Sequence, residues 1–425
     1  MNRTVKIHIL TGLLSIFNLL VMAQDTLFLN APKKDSIPPP PRKYNIFSYN
    51  PNDQCDLVDL GRSWLKKTTV KRTDSTIAKA GKLHISALPV AGYTLQTGFA
   101  GVLSSNFAFY TSEHSQANLS NVLTSFTYSQ YSQIIFPIQA DIWTKGNKYN
   151  IVTDWRYLKY PSFTYGLGGN TISDSGYNID YSYLRFHQAI MRSVAKDIYL
   201  GLGYDLDYFW NIEEVGLPAG KVTDYQRYGL TKTSLSSGIT LNFLYDSRRN
   251  QINPENGGYF NVSYRPNFTF TGSDANWQSL TFDLRRFIKI PGGNSHNVLA
   301  IWSYDWFTTG GANPPYLLLP STGWDTYSNT ARGYIQGRFR SRNMLYLESE
   351  YRFGITPNGL LGGVIFANAQ SFSEPASGKF EYLQPGYGGG VRISLNKFSH
   401  TNLCIDYGWG LNGSGGFFVN LGEVF

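Results

Sequence analysis

Leu345-Tyr346-Leu347-Glu348-Ser349-Glu350-Tyr351-Arg352-Phe353 is the stretch that decides the fold. Leu345, Leu347, Tyr351 and Phe353 alternate with Tyr346, Glu348, Glu350 and Arg352, so one face is aliphatic and aromatic and the other largely charged. A side-chain period of two is that of a β-strand. The pattern recurs in Asn402–Trp409, where Leu403, Ile405, Tyr407 and Trp409 alternate with Asn402, Cys404, Asp406 and Gly408. Asp283 and Arg285 alternate with Phe282 and Leu284 in the same way. Charge on one face and hydrocarbon on the other fits a transmembrane strand with lipid outside and water inside. A soluble sandwich also alternates, but buries its apolar face between two sheets.

The whole chain is compatible with that reading. It has 425 residues, of which 16% are aromatic and only 16% charged, with 42 Gly and 30 Tyr. A mean hydropathy of -0.25 is too low for a bundle of membrane-spanning helices. Beyond Met22 no run approaches the roughly 18–20 apolar residues that a spanning helix needs. High aromatic and glycine content with little charge also argues against disorder. The net charge of +8 is unevenly spread. Two of the excess bases, Arg3 and Lys6, sit in a leader, residues 24–82 carry net +5, and residues 83–425 only net +1. A polynucleotide-binding fold would carry its excess on the folded domain, so no nucleic-acid partner is expected.

Residues 1–23 read as a signal peptide, with Arg3 and Lys6 in the n-region, an apolar stretch from Ile7 to Met22, and Val21-Met22-Ala23 before Gln24 as the cleavage site. Export places Cys55 and Cys404 in an oxidising compartment, where they could form one disulfide; two idle thiols are the expectation. Residues 24–82 are a polar periplasmic segment carrying Pro38-Pro39-Pro40-Pro41, which cannot join a helix or a central strand. Within it Leu57, Leu60, Trp64 and Leu65 share a helical face, followed by Lys66, Lys67, Lys71 and Arg72. This is either an amphipathic helix at a membrane surface or pore mouth, or a linker turn.

From residue 83 to 425 the period is two. Strands are expected near 259–269, 277–290, 297–308, 343–355, 360–371, 386–395, 402–411 and 416–425, separated by Gly/Pro/Asn/Ser-rich breaks. The same density leaves room for about eight more strands in 83–257. The expected fold is therefore all-β, a transmembrane antiparallel barrel of about 16 strands, although spacing alone also accommodates fourteen or eighteen. Phe417, Val419, Leu421 and Phe425 fall on one face of the last strand. If Phe425 ends at the periplasmic rim, Thr356-Pro357-Asn358 is a tight periplasmic turn. The segment Thr309–Arg342 is then a long extracellular loop, folded toward the lumen.

Several motifs carry a family resemblance. Ala331-Arg332-Gly333-Tyr334 resembles the Val-Arg-Gly-Phe/Tyr signature of the BamA/TamA barrel family, the bacterial surface antigen domain. Tyr245-Asp246-Ser247-Arg248-Arg249-Asn250, with Asn253-Pro254-Glu255-Asn256-Gly257-Gly258, is similar to its mid-barrel periplasmic turn, marking Asp246, Arg249, Asn253, Pro254 and Gly258. Asn420–Phe425, Gly388-Gly389-Gly390-Val391-Arg392, Ile405-Asp406-Tyr407-Gly408 and Pro89–Thr94 are similar to further strands of the family, so the resemblance covers about 83–425. It implies an outer-membrane location in a Gram-negative bacterium and a part in protein or lipid insertion or export. It also implies contact with outer-membrane lipid, with a periplasmic or outer-membrane protein as candidate partner. Two departures stand out. Residues 24–82 are too short and polar for a POTRA domain. The family's Phe-x-Asp-x-Gly strand matches Phe366-Ala367-Asn368-Ala369-Gln370, which lacks the carboxylate.

An arginine on a loop inside a wet lumen would be held by inward acids. Glu348, Glu350 and Asp406 are the candidate partners of Arg332, with Asn368 and Arg392 beside them; alternatively Arg332 is a solvated loop residue, and Arg392 and Asp406 a structural pair. The lateral seam is expected between a first strand around Tyr93–Tyr110 and Gly416–Phe425. Gly98, Gly101, Gly422 and Phe425 lie in those segments, where strand glycines weaken pairing or merely relieve crowding. No catalytic motif is present: no Gly-x-Ser-x-Gly, His-Glu-x-x-His, P-loop or Gly-x-Gly-x-x-Gly. His114-Ser115 and His187 are the only residues that would suggest an outer-membrane hydrolase, and they lack a partner at diagnostic spacing. No enzyme, cofactor or metal site is expected. The alternatives are a passive pore or a structural subunit of an outer-membrane complex.

Overall fold

The computed structural model describes residues 54–66, 82–94, 97–112, 117–218, 220–229, 231–291 and 297–425. The expected leader, the proline run, Lys67, Lys71, Arg72 and His114-Ser115 lie outside the described residues. A helix, α1 (Leu57–Lys66), precedes the sheet, as one of the two readings of that segment expects.

The sheet begins with β1 (His84–Thr94), β2 (Gly98–Phe109), β3 (Ser120–Ser129), β4 (Ile134–Trp143), β5 (Tyr149–Lys159) and β6 (Ser162–Thr164). It continues through β7 (Tyr177–Ala195), β8 (Ile198–Val215), a short helix α2 (Asp224–Gly229), β9 (Thr233–Asp246), β10 (Gly257–Asn267) and β11 (Trp277–Lys289). The last strands are β12 (Val298–Gly311), β13 (Asn343–Gly354), β14 (Leu361–Phe372), β15 (Gln384–Asn396), β16 (Thr401–Trp409) and β17 (Gly415–Leu421). From Gly257 onward these follow the expected strands closely. β5 and β6 both pair with β7, so they are one stave interrupted at Tyr160-Pro161. The proline has no N–H for the ladder. The 17 strand segments thus form sixteen antiparallel staves.

Alternation sorts the side chains as lipid and lumen require. On β13, Leu347 is 55% exposed while Glu348 and Glu350 are fully buried. On β8, Leu200, Leu202 and Tyr204 face outward. Aromatic stacks such as Trp155 with Phe186 and Tyr208 with Trp210 line the outside. Among the described residues no helix is long and apolar enough to cross a membrane, so strands form the apolar band.

Three expectations are corrected. The segment around Tyr93–Tyr110 is not one first strand but a hairpin turn followed by β2. β1 and β2 pair from His84 opposite Ala108 to Thr94 opposite Gly98, and Gly98 takes a left-handed φ of 61° at the turn. Gly98 and Gly101 therefore sit on β2, with β1 and β3 on either side, and not at the seam. Phe425 does not continue the outer face of β17. Gly422, at φ 89°, ends the strand and turns the chain inward, where Phe425 is 3% exposed and stacks on Trp302. Finally, the ladders run without a break from β1–β2 to β16–β17, but among the described residues none closes the circle from β17 to β1. The two strands approach each other without a shared register.

The rim carrying residues 160–176, 216–218, 220–229, 312–342 and 373–383 is closed by interlocked loops. Gly168 N–H donates to Arg340 O (2.8 Å), Gln384 Nε2 to Gly169 O (2.6 Å) and Arg338 Nη2 to Thr171 O (2.7 Å). The opposite rim has the tight turns, including 355–360 and 397–400.

Candidate functional site

The long loop between β12 and β13 descends into the lumen and delivers Arg332, whose side chain is fully buried. Its Nη2 donates to Glu348 and Glu350 and its Nη1 to Asp406. β13 supplies both glutamates, two residues apart on the inward face, and β16 supplies Asp406. The guanidinium lies over the Phe366 ring of β14 at 3.7 Å from its centroid. A buried arginine cannot shed its proton, so its charge must be matched in place. Three carboxylates and an aromatic face do so here.

The cage extends further. Arg392 on β15 pairs with Asp406 and, through Nε, with Glu423 (2.7 Å). Arg352 pairs with Glu350 (2.8 Å) and donates to Phe425 O (3.0 Å). Tyr346 OH donates to Glu348. Arg332, Glu348, Glu350, Asp406 and Arg392 thus meet in one network, and Arg332 is not a solvated loop residue. Asn368 Nδ2 donates to the Arg332 backbone carbonyl (3.0 Å) and holds the main chain. Tyr334 anchors the loop through Pro385 O and Leu411 N–H (3.0 Å).

Three glycine positions make this approach feasible. Gly333 adopts φ 112°, and a Cβ on Gly408 would lie 2.6 Å from Gly333 N. A Cβ on Gly390 would lie 1.8 Å from Asp406 Oδ1. Sequence reasoning did not assign Arg352, Glu423, Tyr346 or Phe366 to the site. Period two could have found Arg352 and Tyr346, which share the inward face with Glu348 and Glu350. Glu423 lies beyond the strand and carried no such signal.

The turn between β9 and β10 holds the marked residues in different ways. Asp246 pairs with Arg248 (Oδ2 to Nη2, 2.8 Å), whereas Arg249 is exposed. Arginine parity explains this, since Arg248 and Asp246 point the same way. Asn253 N–H donates to Asn250 Oδ1 (3.1 Å), Pro254 is buried, and Gly258 N–H donates to Ser247 Oγ (2.9 Å). The turn folds across the tight-turn rim: Glu423 N–H donates to Ile252 O (2.8 Å), and Asn250 Nδ2 to Ser399 O (3.0 Å). Ile252 packs with Ala108, Tyr110 and Leu119. A Cβ on Gly422 would meet the Ile252 side chain at 3.1 Å, so this glycine serves the closure of the rim.

At the same rim α1 is pinned beneath the turns of β13–β16. Asp56 accepts from Asp59 N–H (2.8 Å), capping the helix, and from Lys397 N–H (3.0 Å). Lys397 Nζ pairs with Asp59 (2.7 Å), and Cys55 N–H donates to Asn358 O (3.1 Å). Burial, with the Asp59 charge beside it, pushes the Asp56 carboxyl up to about 6. Burial likewise pushes the Cys55 thiol up to about 12. Cys55 and Cys404 are both buried, free thiols.

Across the lumen from the cage lies a second set of ion pairs: Arg156 and Arg185 with Asp154, and Arg265 with Asp207. His187 sits between Asp207 (2.9 Å) and Asp205 (3.4 Å). Both ring nitrogens thus face carboxylates, not a hydroxyl or thiol that the imidazole could activate. Among the described residues no group of three or more His, Cys, Asp or Glu side chains could hold a metal ion.

No family model and no curated protein matches the sequence. Solved structures do. CdiB from Acinetobacter baumannii aligns over 80% of this chain with a TM-score of 0.50 at 12% identity, and the chain spans 60% of that protein. BamA from Haemophilus ducreyi, lacking POTRA domains 1–3, aligns over 86% of this chain and 76% of its own at 12% identity and TM-score 0.49. CdiB from Escherichia coli aligns over 86% and 70% at 10% identity and TM-score 0.46. At such identities the likeness is one of fold: a transmembrane β-barrel.

Proposed function

We propose that this barrel resides in the outer membrane of a Gram-negative bacterium and passes a client between its lumen and the bilayer, without covalent chemistry. The observation that carries this reading is a lumen cavity of about 720 Å³ that wraps around the edge of β17. Phe417 and Val419, 53% and 41% exposed on the outer face, line it together with Phe418 and Asn420 on the inner face. Among the described residues no ladder joins β17 to β1, and the two faces communicate through the gap this leaves. An unpaired strand edge in lipid is costly, so such a gap persists only where something fills or uses it.

In this reading the interlocked loop rim faces outward and the tight-turn rim faces the periplasm, where α1 is available to a protein partner. The cage fixes the loop as a plug. That plug counts against a passive pore, since the Arg332 loop occupies the lumen.

Cysteine pairs walked between His84–Thr94 and Gly415–Leu421, in a Cys55→Ser, Cys404→Ser background, test the gap. Oxidation is expected to lock the seam, halting growth or changing outer-membrane composition where the protein is needed. Locked protein that supports normal growth and composition would sink lateral transfer and leave a structural role.

A further inference from the structure

The lumen beside the gap has a chemistry of its own. On the staves next to it, the inward positions Ala100 and Val102 (β2), Leu123 (β3), Ile135 and Pro137 (β4) and Val152 (β5) line the cavity. An aqueous barrel normally turns polar residues inward and apolar ones out. Here the outward positions of these staves are also apolar: Phe99, Leu103, Phe126 and Phe136 are exposed. Both faces of this part of the wall therefore carry apolar residues.

The arginines of the lining, from Arg156 on β5 itself round to Arg285 on β11, are already satisfied. Arg156, Arg185, Arg248, Arg265 and Arg285 each hold an aspartate within 3.0 Å. None offers an unmatched cation to a phosphate or another anion. A polyanionic or strongly charged client would have to break these buried pairs, leaving aspartates uncompensated. A hydrocarbon chain would instead remove apolar wall from water and disturb none of them.

We propose that this half of the lumen takes up the hydrocarbon tail of a bilayer lipid, which enters sideways past β17. The inference rests on the gap described above and names its client. The volume suits a single small ligand, within the roughly 300–1,000 Å³ typical of such sites, and the outward faces of Phe417 and Val419 make the path continuous with the acyl region of the bilayer. The polar head stays at the membrane surface, because every arginine lining this cavity, among the described residues, already holds an aspartate.

Photo-crosslinking from native outer membranes tests this. Benzoylphenylalanine replaces Leu123 on the inward wall, Ser125 as a second inward position, or the outward Leu103 as a lipid-facing reference. Boiling-dependent gel mobility verifies that each variant is folded. The expected result is an adduct of lipid mass at positions 123 and 125, falling at least tenfold when a seam cysteine pair is oxidised, while position 103 reacts in both states. Adducts at 103 alone, or polypeptide-sized adducts at 123 and 125, would overturn the proposal. Lipid adducts at 123 with unimpaired growth of the locked protein would retain tail binding and reject transfer. A growth defect on locking, without lipid adducts inside, would retain transfer and reject the tail.

Discussion

The two sides of this lumen solve opposite problems. Between β13 and β16 the interior is crowded and ionic: Arg332 is fully buried and its charge is matched by three carboxylates. Between β17 and β5 it is open and half apolar, its one arginine there, Arg156, paired with Asp154, and among the described residues no ladder joins β17 to β1. Crowding on the first side depends on glycines that let a loop reach the strands; on the second the same loop only borders the cavity, where Gln139 and Arg156 donate to Thr326 O. The contrast shows that one barrel can hold a densely paired half and an open half, because each stave is stabilised by its neighbours and by what fills the lumen beside it.

The most severe test of the densely paired side is Arg332→Ala. Removing one partner of a buried ion pair costs about 3–5 kcal/mol, because the remaining charges stay buried without compensation. Denaturant unfolding should show that loss, and limited proteolysis should cut within 312–342. Arg332→Lys should recover only part of it, since an ammonium cannot serve three carboxylates as a planar fork does. An Ala variant with unchanged loop proteolysis would reduce the cage to decoration.

The pinned helix beneath the same staves should respond to pH. The folded Asp56 carboxyl is pushed up from 3.8 to about 6, so the folded state binds the proton more tightly than the free chain. Docking of α1 is therefore strongest below about pH 4 and weakens as pH rises through 6, by up to about 3 kcal/mol. Hydrogen exchange across Leu57–Lys66 should show greater protection at pH 4.5 than at pH 7. Asp56→Asn, which keeps a capping side chain, should flatten that dependence; an unchanged profile in the variant would assign the effect elsewhere.

Gly390→Ala probes the crowding itself. Its Cβ would fall 1.8 Å from Asp406 Oδ1, so the carboxylate must move and the Arg332 and Arg392 contacts with it. Overpacking of this kind typically costs about 1–3 kcal/mol, readable in thermal unfolding. The smallest effect is expected on the open side. Leu123→Asn faces the cavity rather than a packed neighbour and should change stability by less than about 1 kcal/mol. A loss comparable to Gly390→Ala would show that the open wall is packed after all.

Much of this was legible before any coordinate. Strand positions from Gly257 onward followed from period two and glycine-rich breaks, because alternation is imposed residue by residue by the environment on each face. The approach of Arg332 to Glu348, Glu350 and Asp406 was legible too, as a motif on a loop facing inward acids. The hairpin at Gly98 was not, since a glycine within an alternating run looks the same in a strand and in a tight turn. Nor was Arg248 distinguished from Arg249, where a single step of parity decides which guanidinium meets Asp246.

By itself, then, the sequence determined an antiparallel all-β chain of about sixteen staves, the faces of alternating strands such as 345–353 and 402–409, and an arginine loop with acids to receive it. Only the tertiary structure decided that Arg352 and Glu423 join the cage, that Phe425 turns inside onto Trp302, that the 247–256 turn spans the rim, and that β17 meets β1 without a ladder. The reason is the range of the forces involved. Which face a residue takes is settled by its immediate solvent, whereas closure depends on the summed twist of all the staves and on the path of a loop that crosses the lumen, which no local pattern encodes.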